Sequence, residues 1–146
     1  MERKETELSN LVLDSSVVIK WFSTEQGTDE ALALREKFLK GEIEIVVPDL
    51  QLYEIANALR YNPKLGKGEV KSCVESLIDI GIHIIVPTKD VISTAVELAF
   101  EYEITLYDAY FVALAKILKF GFVTADERLH RKLKRLDFVR ILSDIR

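Results

Sequence analysis

Four acidic residues occupy positions where a lone charge is expensive. Asp14 follows the apolar run Leu11-Val12-Leu13, and Asp126 comes two residues after Phe122-Val123-Thr124. Glu54 lies between Tyr53 and Ile55, and Asp108 opens the most apolar segment of the chain. Two carboxylates about 4 Å apart repel by about 4 kcal/mol at an effective dielectric of 20. Four that converge therefore require a cation. No His or Cys stands beside them, and an all-oxygen donor set suits Mg²⁺ or Mn²⁺ better than zinc or copper. Each acid also has a local structural reading. Asp14 can cap a helix beginning near Ser16, and Thr105-x-x-Asp108 approaches a capping box. Thr124-x-x-Glu127 is a full capping box, and Glu54 can pair with a base on a helix surface. These readings explain each acid singly but not all four at one edge.

That common edge comes from the elements around them. Short apolar runs at 11–13, 43–47, 82–86, 122–124 and 139–142 read as buried strands. Helical spacing fills the intervals: a short piece at 17–22, then 28–38, a stripe at Leu52, Ile55, Ala56 and Leu59 opened by Asp49, and 69–80. Residues 64–68 read as a basic loop. Thr88 caps the next helix, which carries Val91, Ala95, Leu98 and Ala99 on one side. Residues 108–119 form a helix apolar nearly all round, ended by Gly121, and residues 125–136 a basic helix. Alternation of strand and helix predicts an α/β fold, a three-layer α/β/α sandwich with a central, mainly parallel sheet. In such a sheet ligands gather where the strands' carboxyl ends meet helix N-termini. Asp14 and Asp126 both fall there.

The chain's 146 residues fit one domain, with a polar N-terminal extension at 1–10 and the folded unit at 11–146. Nearly half the residues are hydrophobic, with only six Gly and three Pro, which excludes a disordered or low-complexity protein. The single cysteine, Cys73, cannot form an internal disulfide, and no apolar run approaches membrane-spanning length. Cytoplasmic residence, without a signal peptide, is expected. The net charge of −4 argues against a surface built wholly for nucleic acid. Its distribution is uneven: residues 1–59 carry six basic and twelve acidic groups, residues 120–146 seven basic and four acidic.

Taken in order, Leu11-Val12-Leu13-Asp14-Ser15-Ser16, Pro48 through Tyr53-Glu54-Ile55-Ala56-Asn57-Ala58-Leu59, Thr105-Leu106-Tyr107-Asp108-Ala109-Tyr110 and Phe122-Val123-Thr124-Ala125-Asp126 resemble the acidic motifs of PIN domains. The resemblance covers nearly the whole chain and is nearest to the VapC-type toxins of type II toxin-antitoxin pairs. It implies a metal-dependent endoribonuclease in which Asp14, Glu54, Asp108 and Asp126 hold one or two Mg²⁺ or Mn²⁺ ions. Asp14 and Asp108 would be the most direct ligands, Asp126 a ligand to a second or water-bridged ion, and Glu54 a ligand or water orienter. Ser15, Asn57 and Thr124 would hydrogen-bond those carboxylates or a phosphate. Products with a 5′-phosphate and a 3′-hydroxyl are implied, as are a VapB-like antitoxin lying over the site and a homodimer.

Single-stranded or looped RNA is the expected substrate, and Arg60, Lys64, Lys67, Arg128 and Arg131 could line its approach. Tyr107 and Tyr110 flank Asp108 and could stack on a base or belong to the core. His83 and His130 read as structural. A haloacid-dehalogenase-like phosphatase would need an acid where Ser16 stands, and a receiver domain an acid where the middle strands end in Pro48 and Pro87. A noncatalytic PIN-like module binding RNA or protein remains the alternative.

Overall fold

Leu11, Val12 and Leu13, all fully buried, form the centre of a five-stranded sheet in a computed structural model that describes residues 9–145. The strands are β1 (Asn10–Leu13), β2 (Glu44–Pro48), β3 (His83–Ile85), β4 (Gly121–Thr124) and β5 (Val139–Ile141). Their order is β3-β2-β1-β4-β5, and every pair is parallel. Parallel neighbours need long crossovers, which the helices supply. These are α1 (Ser15–Val18), α2 (Thr28–Leu39), α3 (Leu50–Arg60), α4 (Lys67–Asp79), α5 (Lys89–Tyr102), α6 (Leu106–Leu118) and α7 (Glu127–Lys132).

Alternation along the strands divides the core. Leu11, Leu13, Ile45, Val47 and Val123 face a cluster that includes Val17, Trp21, Leu34, Ile55 and Leu77, from α1 to α4. Val12, Val46 and Phe122 face the other cluster, with Val91 and Leu98 of α5, the middle of α6, and Leu129. Helices cover both faces, so the three-layer sandwich is the observed architecture. Residues 109–115 of α6 are all buried, as its uniformly apolar sequence predicts.

Several boundaries depart from the sequence reading. The expected extension at 1–10 overlaps the fold, because Asn10 pairs with Glu44 in the sheet and Ser9 accepts a hydrogen bond from the Glu44 amide at 2.8 Å. Residues 1–8 lie outside the described residues. Pro48 is the last residue of β2 and has no N–H to give to β1; the Leu13 carbonyl there accepts from Gln51 instead. The basic loop is shorter than expected, since α4 starts at Lys67, with the Gly66 amide bonded to Glu69 Oε1 at 2.7 Å. The basic helix spans only Glu127–Lys132 and is capped by Asp126, whose Oδ1 accepts from the Leu129 amide at 3.1 Å. Thr124 instead bonds the Asp126 amide, so the predicted Thr124–Glu127 box does not form.

Candidate active site

The chain lays β1, β2 and β3 to one side, then returns to place β4 against β1. That reversal leaves a crevice beyond the carboxyl ends of β1 and β4, the usual ligand position in an open parallel sheet. Asp14 and Asp126 follow those two strands. Asp108 reaches the crevice from the first turn of α6, and Glu54 from the second turn of α3.

Asp14 is buried and held at both oxygens. The Ser16 amide donates to Oδ1 at 2.7 Å, capping α1, and the buried Thr124 hydroxyl donates to Oδ2 at 2.6 Å. The capping reading of Asp14 is therefore realised, with its second oxygen held by Thr124. Burial outweighs these bonds and, with the charges of Asp108 and Glu54, pushes the carboxyl up to about 6. Glu54 is half-buried. Its Oε1 accepts from the Ser15 hydroxyl at 2.7 Å, while burial and the Asp108 charge raise it above the ordinary value. Asp108 is raised by burial and by Asp126, against a side-chain hydrogen bond from Thr105; separately, the Asp108 amide donates to the Thr105 hydroxyl and so caps α6. Each acid thus lies within electrostatic reach of another, and together they form a continuous acidic cleft. Among the described residues none of the four has an ion-pair partner.

Two supporting residues escaped the sequence reading. Ser16 Oγ accepts from the Ala125 amide at 2.9 Å, joining the loops after β1 and β4. Fully buried Gln51 donates from Nε2 to the Leu13 carbonyl at 2.7 Å, fixing the peptide just before Asp14. Its spacing of four and eight residues from Ile55 and Leu59 marks the buried stripe of α3 and was the available signal. Asn57, expected to assist, is exposed and makes no hydrogen bond to the acids.

The basic candidates separate in space. Arg128 lines a cavity of about 280 Å³ with Asp108, Asp126, Thr105 and Lys132, whose ammonium donates to the Glu103 carbonyl at 2.7 Å. Arg60 and Lys67 line a different cavity, about 560 Å³, between α3 and α4 with Lys71. Lys64 and Arg131 are exposed and line neither. A third cavity of about 250 Å³ lies beyond the ends of β2 and β3, among Asp49, Tyr53, Tyr107 and Tyr110. Asp49 occupies the N-cap position of α3 but makes no capping bond, contrary to expectation, because its backbone is already helical. Its charge, after burial, is the second cause that raises the Tyr110 phenol.

A PIN domain family model matches residues 11–136, a span that contains all four acids. The chain belongs to the PIN domain family. This PIN domain is 28% identical over 130 residues to ribonuclease VapC3 of Pyrobaculum aerophilum, covering 86% of this chain and 96% of that protein. A toxin-antitoxin complex from Klebsiella pneumoniae has the same fold, with a TM-score of 0.69 at 17% identity, covering 90% and 97% of the two chains. FitAcB from Neisseria gonorrhoeae matches with a TM-score of 0.65 at 15% identity, covering 90% and 95%.

The donor chemistry of this PIN domain fits a hard divalent cation. Its four donors are carboxylates, their charges help raise Asp14, Glu54 and Asp108, and among the described residues none of the four has an ion-pair partner. Among the described residues no three His, Cys, Asp or Glu side chains close into a compact metal cage. Mg²⁺ does not demand one, since it keeps several waters and is usually bound through one or two carboxylates.

Proposed function

We propose that this PIN domain is a divalent-metal-dependent endoribonuclease and the toxin of a VapBC-type pair, its activity carried by one domain at 11–146. The four carboxylates of Asp14, Glu54, Asp108 and Asp126, gathered at the sheet's switch point with none ion-paired among the described residues, carry this reading. The match to ribonuclease VapC3 supports the activity, and the fold of a toxin-antitoxin component supports the biological class. Asp14 and Asp108 would hold Mg²⁺ or Mn²⁺ most directly, Asp126 through a second or water-bridged position. A bound cation supplies Lewis-acid polarisation of the scissile phosphate and of the attacking water.

The chain's own residues do the positioning. Thr124 and the Ser16 amide fix both oxygens of Asp14, and Gln51 fixes the peptide that carries it. Ser15 ties Glu54 Oε1 and leaves Oε2 free to accept a hydrogen bond from the attacking water. Arg128 and Lys132 offer charge to the incoming RNA backbone beside Asp108 and Asp126. In-line attack on phosphorus would break its bond to the 3′ oxygen, leaving a 3′-hydroxyl and a 5′-phosphate. The unpaired carboxylates also suit an antitoxin segment bringing a cation into the cleft, as a VapB-like inhibitor would.

The test is cleavage of a mixed RNA pool by wild type and Asp108→Asn, with Mg²⁺ or Mn²⁺ against EDTA. Metal-dependent cutting reduced at least a hundredfold in the variant is expected. Equal inactivity of two well-folded proteins across several RNA classes would leave a noncatalytic binding module.

A further inference from the structure

The parallel ladder between β1 and β2 is one rung short where it meets the acidic cleft. Val12 is level with Val46, so the next backbone donor due to β1 belongs to residue 48, and its acceptor is the Leu13 carbonyl. Residue 48 is proline, which has no N–H to give. Gln51 supplies the missing donor from its side chain, Nε2 to the Leu13 carbonyl at 2.7 Å. On the other side of the same peptide the Asp14 amide donates to the Val123 carbonyl at 3.0 Å. The peptide that leads into Asp14 is thus gripped from both flanks, by the backbone of β4 and by a side-chain amide of α3. That amide stands one turn before Glu54, so a single helix holds the Asp14 peptide and carries a second acid of the cleft.

A polar side chain at position 51 is a poor choice for the fold alone. Gln51 is fully buried, and its Oε1 has no hydrogen-bond partner among the described residues. An unpaired buried acceptor is destabilising. An ordinary residue at 48 with an apolar one at 51 would complete the ladder without it. We propose that Gln51 is a positioning residue for the cation: by fixing the Leu13–Asp14 peptide and tying it to the helix of Glu54, it sets the affinity of the acidic cleft for Mg²⁺ or Mn²⁺. The inference rests on the divalent-metal reading above and names what aims its most buried ligand. Removing an outer partner that orients a metal ligand typically weakens binding by about ten- to a hundredfold.

The experiment is calorimetric titration of Mn²⁺ into wild type, Gln51→Met and the double variant Pro48→Ala/Gln51→Met, each checked by circular dichroism and thermal unfolding. Methionine matches glutamine in length and cannot donate, and alanine at 48 restores a backbone N–H opposite Leu13. Gln51→Met should bind Mn²⁺ about tenfold or more weakly, and the double variant should return to the wild-type affinity. A merely structural role would lower the unfolding midpoint of Gln51→Met and leave its affinity unchanged, and that result would overturn the inference. So would a folded double variant that binds as weakly as Gln51→Met, because the loss would then come from packing and not from the missing rung. If Gln51→Met does not fold, the double variant decides: wild-type affinity supports the rung, while weaker binding or failure to fold overturns it. A folded wild type that takes up no Mn²⁺ would overturn the divalent-metal reading itself, and this inference with it.

Discussion

Burial makes Asp14 a proton binder when no cation is present. Its folded value of about 6 lies above the ordinary 3.8, so folding takes up a proton between those limits. The stabilisation is complete below about pH 4 and lost as pH rises through about 6, a change of about 3 kcal/mol. Glu54 and Asp108 are raised too and act in the same direction. Thermal unfolding of the metal-free protein should therefore show a midpoint that falls from pH 4 to 6, and Asp14→Asn should flatten the profile. Superimposable wild-type and variant profiles would refute this account of Asp14. With Mg²⁺ or Mn²⁺ present the trend should reverse, because the cation competes with protons and binds better as pH rises. At this scale Asp14, Asp126 and Thr124 were legible as residue types at strand ends, and Asp108 as the acid that opens the most apolar helix. Ser16 was read only as a helix start and part of a motif, and Gln51 was not singled out, because what each does depends on a partner 109 or 38 residues away.

Helix starts were easier to read than helix stops. Thr88 and Thr105 cap α5 and α6 through their hydroxyls, as their positions before apolar stripes suggest. The ends are made by Glu103 and Lys119, which take left-handed backbone at φ 54° and 61°, a conformation usually given to glycine. Gly121, the expected stop of α6, instead opens β4. A side chain in that conformation costs about 1 kcal/mol, partly offset by the greater freedom glycine has when unfolded. Glu103→Gly and Lys119→Gly should each stabilise the fold by about 0.5 kcal/mol in urea unfolding. Destabilisation by either would mean that the replaced side chain contributes more than its strain costs. The basic segment misled for a related reason: its charges suit a long surface helix, but the chain leaves helical geometry after Lys132 and returns to β5 seven residues later.

Over the whole molecule, apolar surface is left uncovered on one side. Ile92, Val96 and Phe100 recur at helical spacing on the outer face of α5, with Phe100 84% exposed and Val86 exposed as well. A run of this kind usually marks an interface, and the homodimer that the PIN resemblance implies would lay a second copy over it. Phe100→Asp should shift the solution mass, measured by light scattering, from dimer to monomer while the circular dichroism stays that of the wild type. A wild-type protein already monomeric at micromolar concentration would refute the homodimer. The alternation of runs and helices made the layers legible, but the sequence could not rank which apolar face of a two-sided helix meets the sheet. Among the described residues no helix is long and apolar enough to cross a membrane.

Trp21 offers a consequence of another kind. It is the chain's one tryptophan, buried just beyond α1, with its indole N–H bonded to the Ala31 carbonyl at 2.8 Å. All indole emission therefore comes from a single apolar position seven residues from Asp14, so the native protein carries its own blue-shifted optical reporter. A change in its intensity on titration with cation would register the loading of the acidic cleft without any attached dye.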